Sequence, residues 1–223
     1  MEIHLIRHGN MKGDPHLHMR PPVTDCLSDL GVAQAAALGR AVADVPFTHI
    51  YSSPLGRALQ TAQAVAGERG LDIGVEPWLE EWRPAHVMDG AEDTRFESIM
   101  AEAAKLRPEQ TWKTAAGESL LQMADRIIPG MQSLLHRHGI AAGHGGYLFQ
   151  NPDNSDILAV VAHGGSLNVL MKFLLGLPLQ PGSSFHFQES GVAQIGFHQV
   201  IDVWYPHLKH LPPAPQISSP DTQ

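Results

Sequence analysis

The sequence predicts an α/β fold, a three-layer α/β/α arrangement around a mostly parallel central sheet. Three observations carry this. Strand-like and helix-like stretches alternate along the first third of the chain, the pattern of helices laid against a parallel sheet. Asp156-Ile157-Leu158-Ala159-Val160-Val161-Ala162 is a continuous apolar run, as expected of a strand buried on both faces. That run leads into His163-Gly164-Gly165, and the first strand-like run, Glu2-Ile3-His4-Leu5-Ile6, leads into Arg7-His8-Gly9. Histidine followed by glycine thus falls twice at the carboxyl end of a strand, where open α/β sheets gather their ligands.

The elements follow in order. Residues 2–6 alternate polar and apolar, so they read as a strand. Asn10 to Cys26 carries glycine, prolines and histidines and reads as a loop, long enough to be functional. Ser28 is a good cap for a helix over 29–43, with Leu30, Ala33, Ala37, Leu38, Ala41 and Val42 on its apolar face. Pro46 ends it, and residues 48–52 read as a second strand. Ser53 and Pro54 suit the start of the next helix, which turns Leu55, Leu59, Ala62, Val65 and Ala66 inward. A short strand is expected over 73–76. Trp78 to Gly117 is the least regular stretch, with a helix expected over 94–106. Residues 118–137 form an amphipathic helix that Pro129 should kink or split. Residues 141–155, rich in Gly, Asn and Pro, read as a surface insertion. A helix starts near Ser166, with Leu167, Leu170, Met171 and Leu174 on one face, and strands are expected over 191–197 and 199–205. This gives one domain over 1–211, with a lid or insertion over 82–116 and a Pro/Ser-rich tail over 212–223.

Composition narrows the function. A chain of 223 residues suits one substantial domain or two small ones. Its 23 acidic against 15 basic residues, a net charge of −8, exclude broad binding to nucleic acid or anionic membranes, which needs basic surface. A small basic pocket remains possible, since two or three arginines suffice. No apolar run approaches a membrane span. The first apolar stretch is short and broken by His4 and Arg7, so no secretory signal is expected and cytoplasm is the default location. Cys26 is the single cysteine, so no intrachain disulfide can form. Homo-oligomer formation is left open. Most of the 14 histidines, including the loose pairs His16/His18, His136/His138 and His207/His210, lack the spacing of a metal site and read as structural or surface residues. No metal and no cofactor are expected.

The chemistry sits in three places. Arg7-His8-Gly9 offers a nucleophile beside a guanidinium fork suited to phosphate, with Gly9 allowing a sharp turn and close approach of a ligand. If the strands before His8 and His163 are neighbours, both imidazoles face one pocket, and the helix start after His163 attracts anions. Arg57, in the first turn of the helix after Ser52-Ser53-Pro54, can reach the same edge as a second bidentate donor.

These segments resemble the histidine phosphatase superfamily, also called phosphoglycerate-mutase-like. The matching stretches are Leu5-Ile6-Arg7-His8-Gly9, Leu27 to Ala35, Ser52 to Ala62, Leu79-Glu80-Glu81, Gly117-Glu118-Ser119 and Val161-Ala162-His163-Gly164-Gly165. They come in the family's order and span most of the chain. The resemblance implies that His8 is the nucleophile that takes the phosphoryl group and that its ring is oriented through its other nitrogen by backbone. It implies that Arg7, Arg57 and His163 hold the phosphate, that Gly9 and Gly164 shape the pocket backbone, and that Glu81 is the general acid. Neighbours on an extended stretch point to opposite sides, so only one of Glu80 and Glu81 faces the pocket, and the family register selects Glu81. A free glutamate titrates near about 4.3, so this role needs either desolvation by Trp78 and Trp82 or an acidic optimum.

The chain also departs from the family. Asn10 and Met11 stand where an acidic residue or glutamine and then Thr or Ser are usual, and Asp14 stands where the mutases carry asparagine. These changes disfavour a sugar-acid phosphate as substrate. The leading expectation is a metal-independent phosphatase of a phosphorylated small molecule, acting through phosphohistidine. Asn10, Met11, Arg83 and His86 are candidate substrate contacts. A mutase is the runner-up, and the balance tips because Asp89, Glu92, Asp93, Glu97 and Glu102 outnumber Arg83, His86, Arg95 and Lys105 in the segment after the acid. A non-catalytic phosphoryl-binding module and a hydrolase using His8 and His163 as metal ligands are further readings.

Overall fold

A computed structural model describes residues 1–12, 26–67, 69–82, 118–143, 145–179 and 184–210. It is an α/β fold around one eight-stranded sheet in the order β3-β2-β6-β1-β7-β8-β5-β4. The strands are β1 Glu2–Arg7, β2 His49–Ser52, β3 Ile73–Val75, β4 Ile140–Gly143, β5 Gly146–Phe149, β6 Ile157–Ala162, β7 Val192–Val200 and β8 Val203–His210. Four helices are described: α1 Asp29–Ala41, α2 Gly56–Ala66, α3 Leu120–Arg137 and α4 Gly164–Leu174.

The sheet is mixed rather than mostly parallel. β3, β2, β6 and β1 run parallel to their neighbours, while β7, β8, β5 and β4 extend the sheet through antiparallel pairs. Half of this antiparallel extension came from a stretch that reads as a surface insertion. Residues 140–149 form the β4–β5 hairpin instead, and β5 meets β8 at Tyr147 and Trp204. Glycine and alanine gave that segment no alternating pattern. Its strands are fixed by partners distant in sequence, with Tyr147 buried and its hydroxyl donating to the Leu174 carbonyl at 3.1 Å.

Two apolar clusters lie against the sheet. Along β6, Leu158, Val160 and Ala162 join the cluster that includes α3 and α4, while Ala159 and Val161 join the one that includes α1 and α2. This alternation is the period of two expected of a strand, and it explains why β6 reads as apolar throughout. α1 is rotated from the expected face: Gly31, Ala35, Leu38 and Val42 are buried, and Leu30, Ala33 and Ala41 are exposed. Close backbone approach decides this. A Cβ on Gly31 would stand 1.9 Å from the Asn10 carbonyl oxygen, and one on Gly39 would stand 2.4 Å from that of Ala64.

α3 is capped by Ser119 and Gln122 in a reciprocal box and runs unbroken through Pro129. Pro129 and Asp125, whose carbonyl loses its amide partner, are both exposed, so water can serve that carbonyl. Met123, Ile127, Met131 and Leu134 hold the opposite face in the core. The helix expected over 94–106, the lid beyond Trp82, Asp14 and the tail lie outside the described residues. Among the described residues, no helix is long and apolar enough to cross a membrane.

Candidate active site

The parallel half of the sheet brings the two histidines together. β1 and β6 are neighbours, in register from Glu2 with Ile157 to Arg7 with Ala162, so His8 and His163 are the next pair along. The His8 amide donates to the Ala162 carbonyl at 3.0 Å, and the Ser53 amide donates to that of Val161 at 3.0 Å. Three strand ends thereby deliver His8, His163 and Ser53 to one edge. The rings of His8 and His163 lie 5.0 Å apart between centroids.

The hydrogen bonds fix the tautomer of His8. Its Nδ1 lies 2.6 Å from the Gly9 carbonyl oxygen, and its Nε2 lies 3.1 Å from Arg57 Nε. A carbonyl only accepts and a guanidinium only donates, so Nδ1 carries the hydrogen and Nε2 carries the lone pair. This is the ring orientation by backbone that the family resemblance implies. Arg57 itself sits in the first turn of α2 and is 1% exposed. Thr61, one turn on, accepts from the Gly9 amide at 3.1 Å and donates to the Arg57 carbonyl at 2.8 Å. Those two bonds tie the nucleophile's loop to α2, and no sequence signal singled out Thr61. His163 Nε2 lies 2.8 Å from Ser53 Oγ. Ser53 reads from sequence as a cap, and its hydroxyl instead serves both this ring and the Leu55 amide, at 3.3 Å.

Arg7 donates from one terminal nitrogen to the Phe187 carbonyl at 2.6 Å. Among the described residues its buried Nε has no hydrogen-bond partner, and it would lie 3.9 Å from a Cβ on Gly164. A cleft of about 430 Å³ opens here, lined by Arg7, Glu81, Gly164, Gly165, Asn168 and residues 184–187. An unmatched guanidinium donor beside a cleft is a ready anion partner.

Glu81, rather than Glu80, lines the cleft. Its carboxylate accepts from the amides of Trp82 at 2.8 Å, Gly165 at 3.1 Å and Ser166 at 3.2 Å. It therefore occupies the start of α4, the place the sequence reserved for an anion. A Cβ on Gly165 would lie 2.5 Å from its Oε1, so a larger residue there would displace the carboxylate from this position. Each carboxylate oxygen keeps further lone-pair capacity for a proton. The loop that carries Glu81 is held from behind by Arg126, which donates to the carbonyls of Trp78, Glu80 and Glu81 at 2.8–2.9 Å and to the Glu118 carboxylate at 2.6 and 3.0 Å. Sequence reading missed Arg126; its only signal was Glu118 in the matching Gly117-Glu118-Ser119 stretch.

Asn10 is engaged on several sides. Its amide nitrogen donates to Glu189 at 3.0 Å, its side-chain oxygen accepts from Ser28 at 2.5 Å, and its backbone amide donates to Gln34 at 2.7 Å. It braces the loop after the nucleophile against residues 184–190. Met11 is half-buried and pairs across a single bridge with Leu27. Arg83 and His86 lie outside the described residues.

Comparison with known proteins bears on the family and the fold. The family model described as "Histidine phosphatase superfamily (branch 1)" matches residues 3–200. A curated relative, "Probable phosphoglycerate mutase GpmB" of Erwinia tasmaniensis, is 26% identical over 210 residues, 89% of this chain and 86% of that protein. Among solved structures, a mycobacterial glucosyl-3-phosphoglycerate phosphatase in complex with inorganic phosphate aligns with a TM-score of 0.73 at 24% identity, over 97% of this chain and 99% of that one. The alpha-ribazole phosphatase of Shigella flexneri aligns with a TM-score of 0.71 at 22% identity, over 95% and 96%. These likenesses establish the shared fold, and the match across residues 3–200 places the chain in the histidine phosphatase superfamily.

Proposed function

We propose that the chain is a metal-independent phosphatase that hydrolyses a phosphomonoester through a phosphohistidine on His8. The observation that carries this reading is the Nδ1–H tautomer of His8, which points the Nε2 lone pair at a buried guanidinium. An incoming phosphate takes the Arg57 donor from Nε2, and Nε2 then attacks phosphorus opposite the ester oxygen. Arg7, Arg57 and His163 stabilise the charge on the equatorial oxygens, the main source of catalysis in phosphoryl transfer. Glu81 gives its proton to the leaving oxygen, so the alcohol departs neutral. In the second step Glu81 takes a proton from water as that water attacks phosphorus. The N–P bond breaks, releasing phosphate and restoring neutral His8. The same reading takes the chain as one α/β/α domain over 1–211, with 82–116 as the lid that selects the alcohol, and as a cytoplasmic protein.

Mutase activity is the second reading, favoured by the name of the Erwinia relative. Both readings share the phosphoenzyme, so trapping and turnover are measured together. Rapid acid-free quenching with a labelled substrate is expected to trap an acid-labile, base-stable phosphoenzyme. Phosphate release is expected to persist in chelator and to exceed any isomer interconversion. Interconversion of phosphoglycerates that outpaces phosphate release and is stimulated by bisphosphoglycerate would establish the mutase instead.

A further inference from the structure

A second group of histidines stands at the opposite edge of the same strands. His49 opens β2, Asp156 directly precedes β6, and His138 directly follows α3. Their metal-ligating atoms all lie within 4.8 Å of one another. We propose that His49, His138 and Asp156 bind a divalent transition-metal ion, zinc foremost, with its remaining position open to water.

The hydrogen bonds around the group are those of a site with an outer shell. His138 Nδ1 lies 2.7 Å from Asp156 Oδ2, and its Nε2 lies 2.9 Å from the Tyr51 hydroxyl. A proton now joins Nδ1 to the carboxylate. A metal ion replaces that proton: Nδ1 gives it up and Nε2 takes a hydrogen. The Tyr51 hydroxyl then turns from donor to acceptor, which its chemistry permits. Metal-bound histidines commonly donate their other N–H to such a partner. His49 Nδ1 lies 3.0 Å from Thr48 Oγ1, so Nε2 is its coordinating atom, and the ring packs edge-on to His138 at 4.7 Å.

Two imidazoles and one carboxylate are a common donor set for zinc, with bonds of about 2.0–2.2 Å. Tetrahedral bonds of that length need about 3.3 Å between neighbouring ligand atoms, so the Nδ1–Oδ2 pair must open by several tenths of an ångström. The Asp156 side chain is 29% exposed and His49 is exposed, so both can give way. The Asn154 side chain braces the backbone of two ligands: its Oδ1 accepts from the Asp156 amide at 2.8 Å, and its Nδ2 donates to the His138 carbonyl at 2.9 Å. The nearby guanidinium of Arg137, 5.7 Å from the Tyr51 ring centroid, is paired with Glu76. Sequence spacing held no metal signal because the three ligands come from three separate elements.

The test uses the full chain, stripped with chelator and kept in saturating phosphate so that His8 and His163 are covered. Cobalt is expected to bind with about one ion per chain and give the visible bands of a four-coordinate site, and zinc is expected to displace it. Zinc at a hundredfold excess over its Kd should raise the unfolding midpoint by roughly 5–10 °C. His49→Ala and Asp156→Asn should each weaken zinc at least about tenfold, and Tyr51→Phe should do so to a lesser degree. His49→Ala should keep wild-type turnover, which shows that it folds. Zinc affinity unchanged in both His49→Ala and Asp156→Asn, or lost instead in His198→Ala/His207→Ala (the exposed cross-strand pair on β7 and β8), would overturn the proposal. So would the absence of any cobalt spectrum or midpoint shift in the wild type.

Discussion

The two ends of the parallel strands carry histidines of opposite character. At the carboxyl ends, His8 and His163 are 6% and 0% exposed, and the group beside them is a buried cation, Arg57. At the amino ends, His49 is exposed, and His138 leans on a carboxylate. On the proposed readings, one edge receives an anion and the other a cation. The same imidazole serves either purpose, because it offers a lone pair on one nitrogen and a hydrogen on the other. What differs is the company each ring keeps: a backbone carbonyl and a buried guanidinium at His8, a carboxylate and a phenol hydroxyl at His138.

The largest expected effect breaks the carboxyl edge outright. His8→Ala removes the only attacking atom the mechanism uses. Turnover should fall by about 10⁴-fold or more, with no trapped phosphoenzyme, while the unfolding midpoint stays near that of the wild type. A variant that still accumulates phosphoenzyme would place the nucleophile elsewhere. Next comes Glu81→Gln, which keeps an acceptor for the α4 amides and removes the proton. Alkyl phosphates should slow by about 10²–10⁴-fold and activated aryl esters by about tenfold or less. Equal losses on both would remove Glu81 from the acid role.

The two edges also differ in how far the sequence disclosed them. His8 and His163 sit in short contiguous motifs, and a strand-like run before each, alternating before His8 and apolar before His163, predicts its position. Arg57 follows from one strand-to-helix junction. The cluster at the amino ends has no such signature, because register between β2 and β6 decides that His49 meets Asp156. Arg126 escaped for the same reason: its partners are carbonyls, which have no residue identity in a sequence. The β4–β5 hairpin was hidden by glycine and alanine, whose pairing comes from β8. The expected face of α1 failed because alanine fills several faces and two glycines choose the contact. Local pattern thus reveals groups that act where a strand ends, and tertiary pairing supplies those that brace or oppose them.

A smaller effect separates the edges by readout. His138→Ala leaves the Asp156 carboxylate and the Tyr51 hydroxyl without their shared partner. The cost in stability should be about 1–3 kcal/mol, read by denaturant unfolding, with turnover within about twofold of wild type. A large loss of turnover at unchanged stability would mean that the amino edge acts on the phosphate site.

The smallest effect concerns His4, which lies midway along β1 and belongs to neither edge. It is 1% exposed, edge-on to Phe47 at 5.0 Å, with Glu2 3.5 Å from Nε2. Burial pushes its pKa below the ordinary 6.5, against the opposing pull of Glu2. The neutral ring is therefore the folded form. Above about pH 6.5 neither state binds the proton, and the contribution to stability is complete. Below that value the unfolded chain takes up the proton first, so stability falls until the folded ring also titrates. His4→Leu removes this titration while keeping an apolar side chain in the strand. Between about pH 7.5 and pH 5.5, the wild type should lose more stability than His4→Leu. Equal losses would mean that His4 titrates alike in both states, and that the middle of β1 is as open to protons as its half-buried amino end.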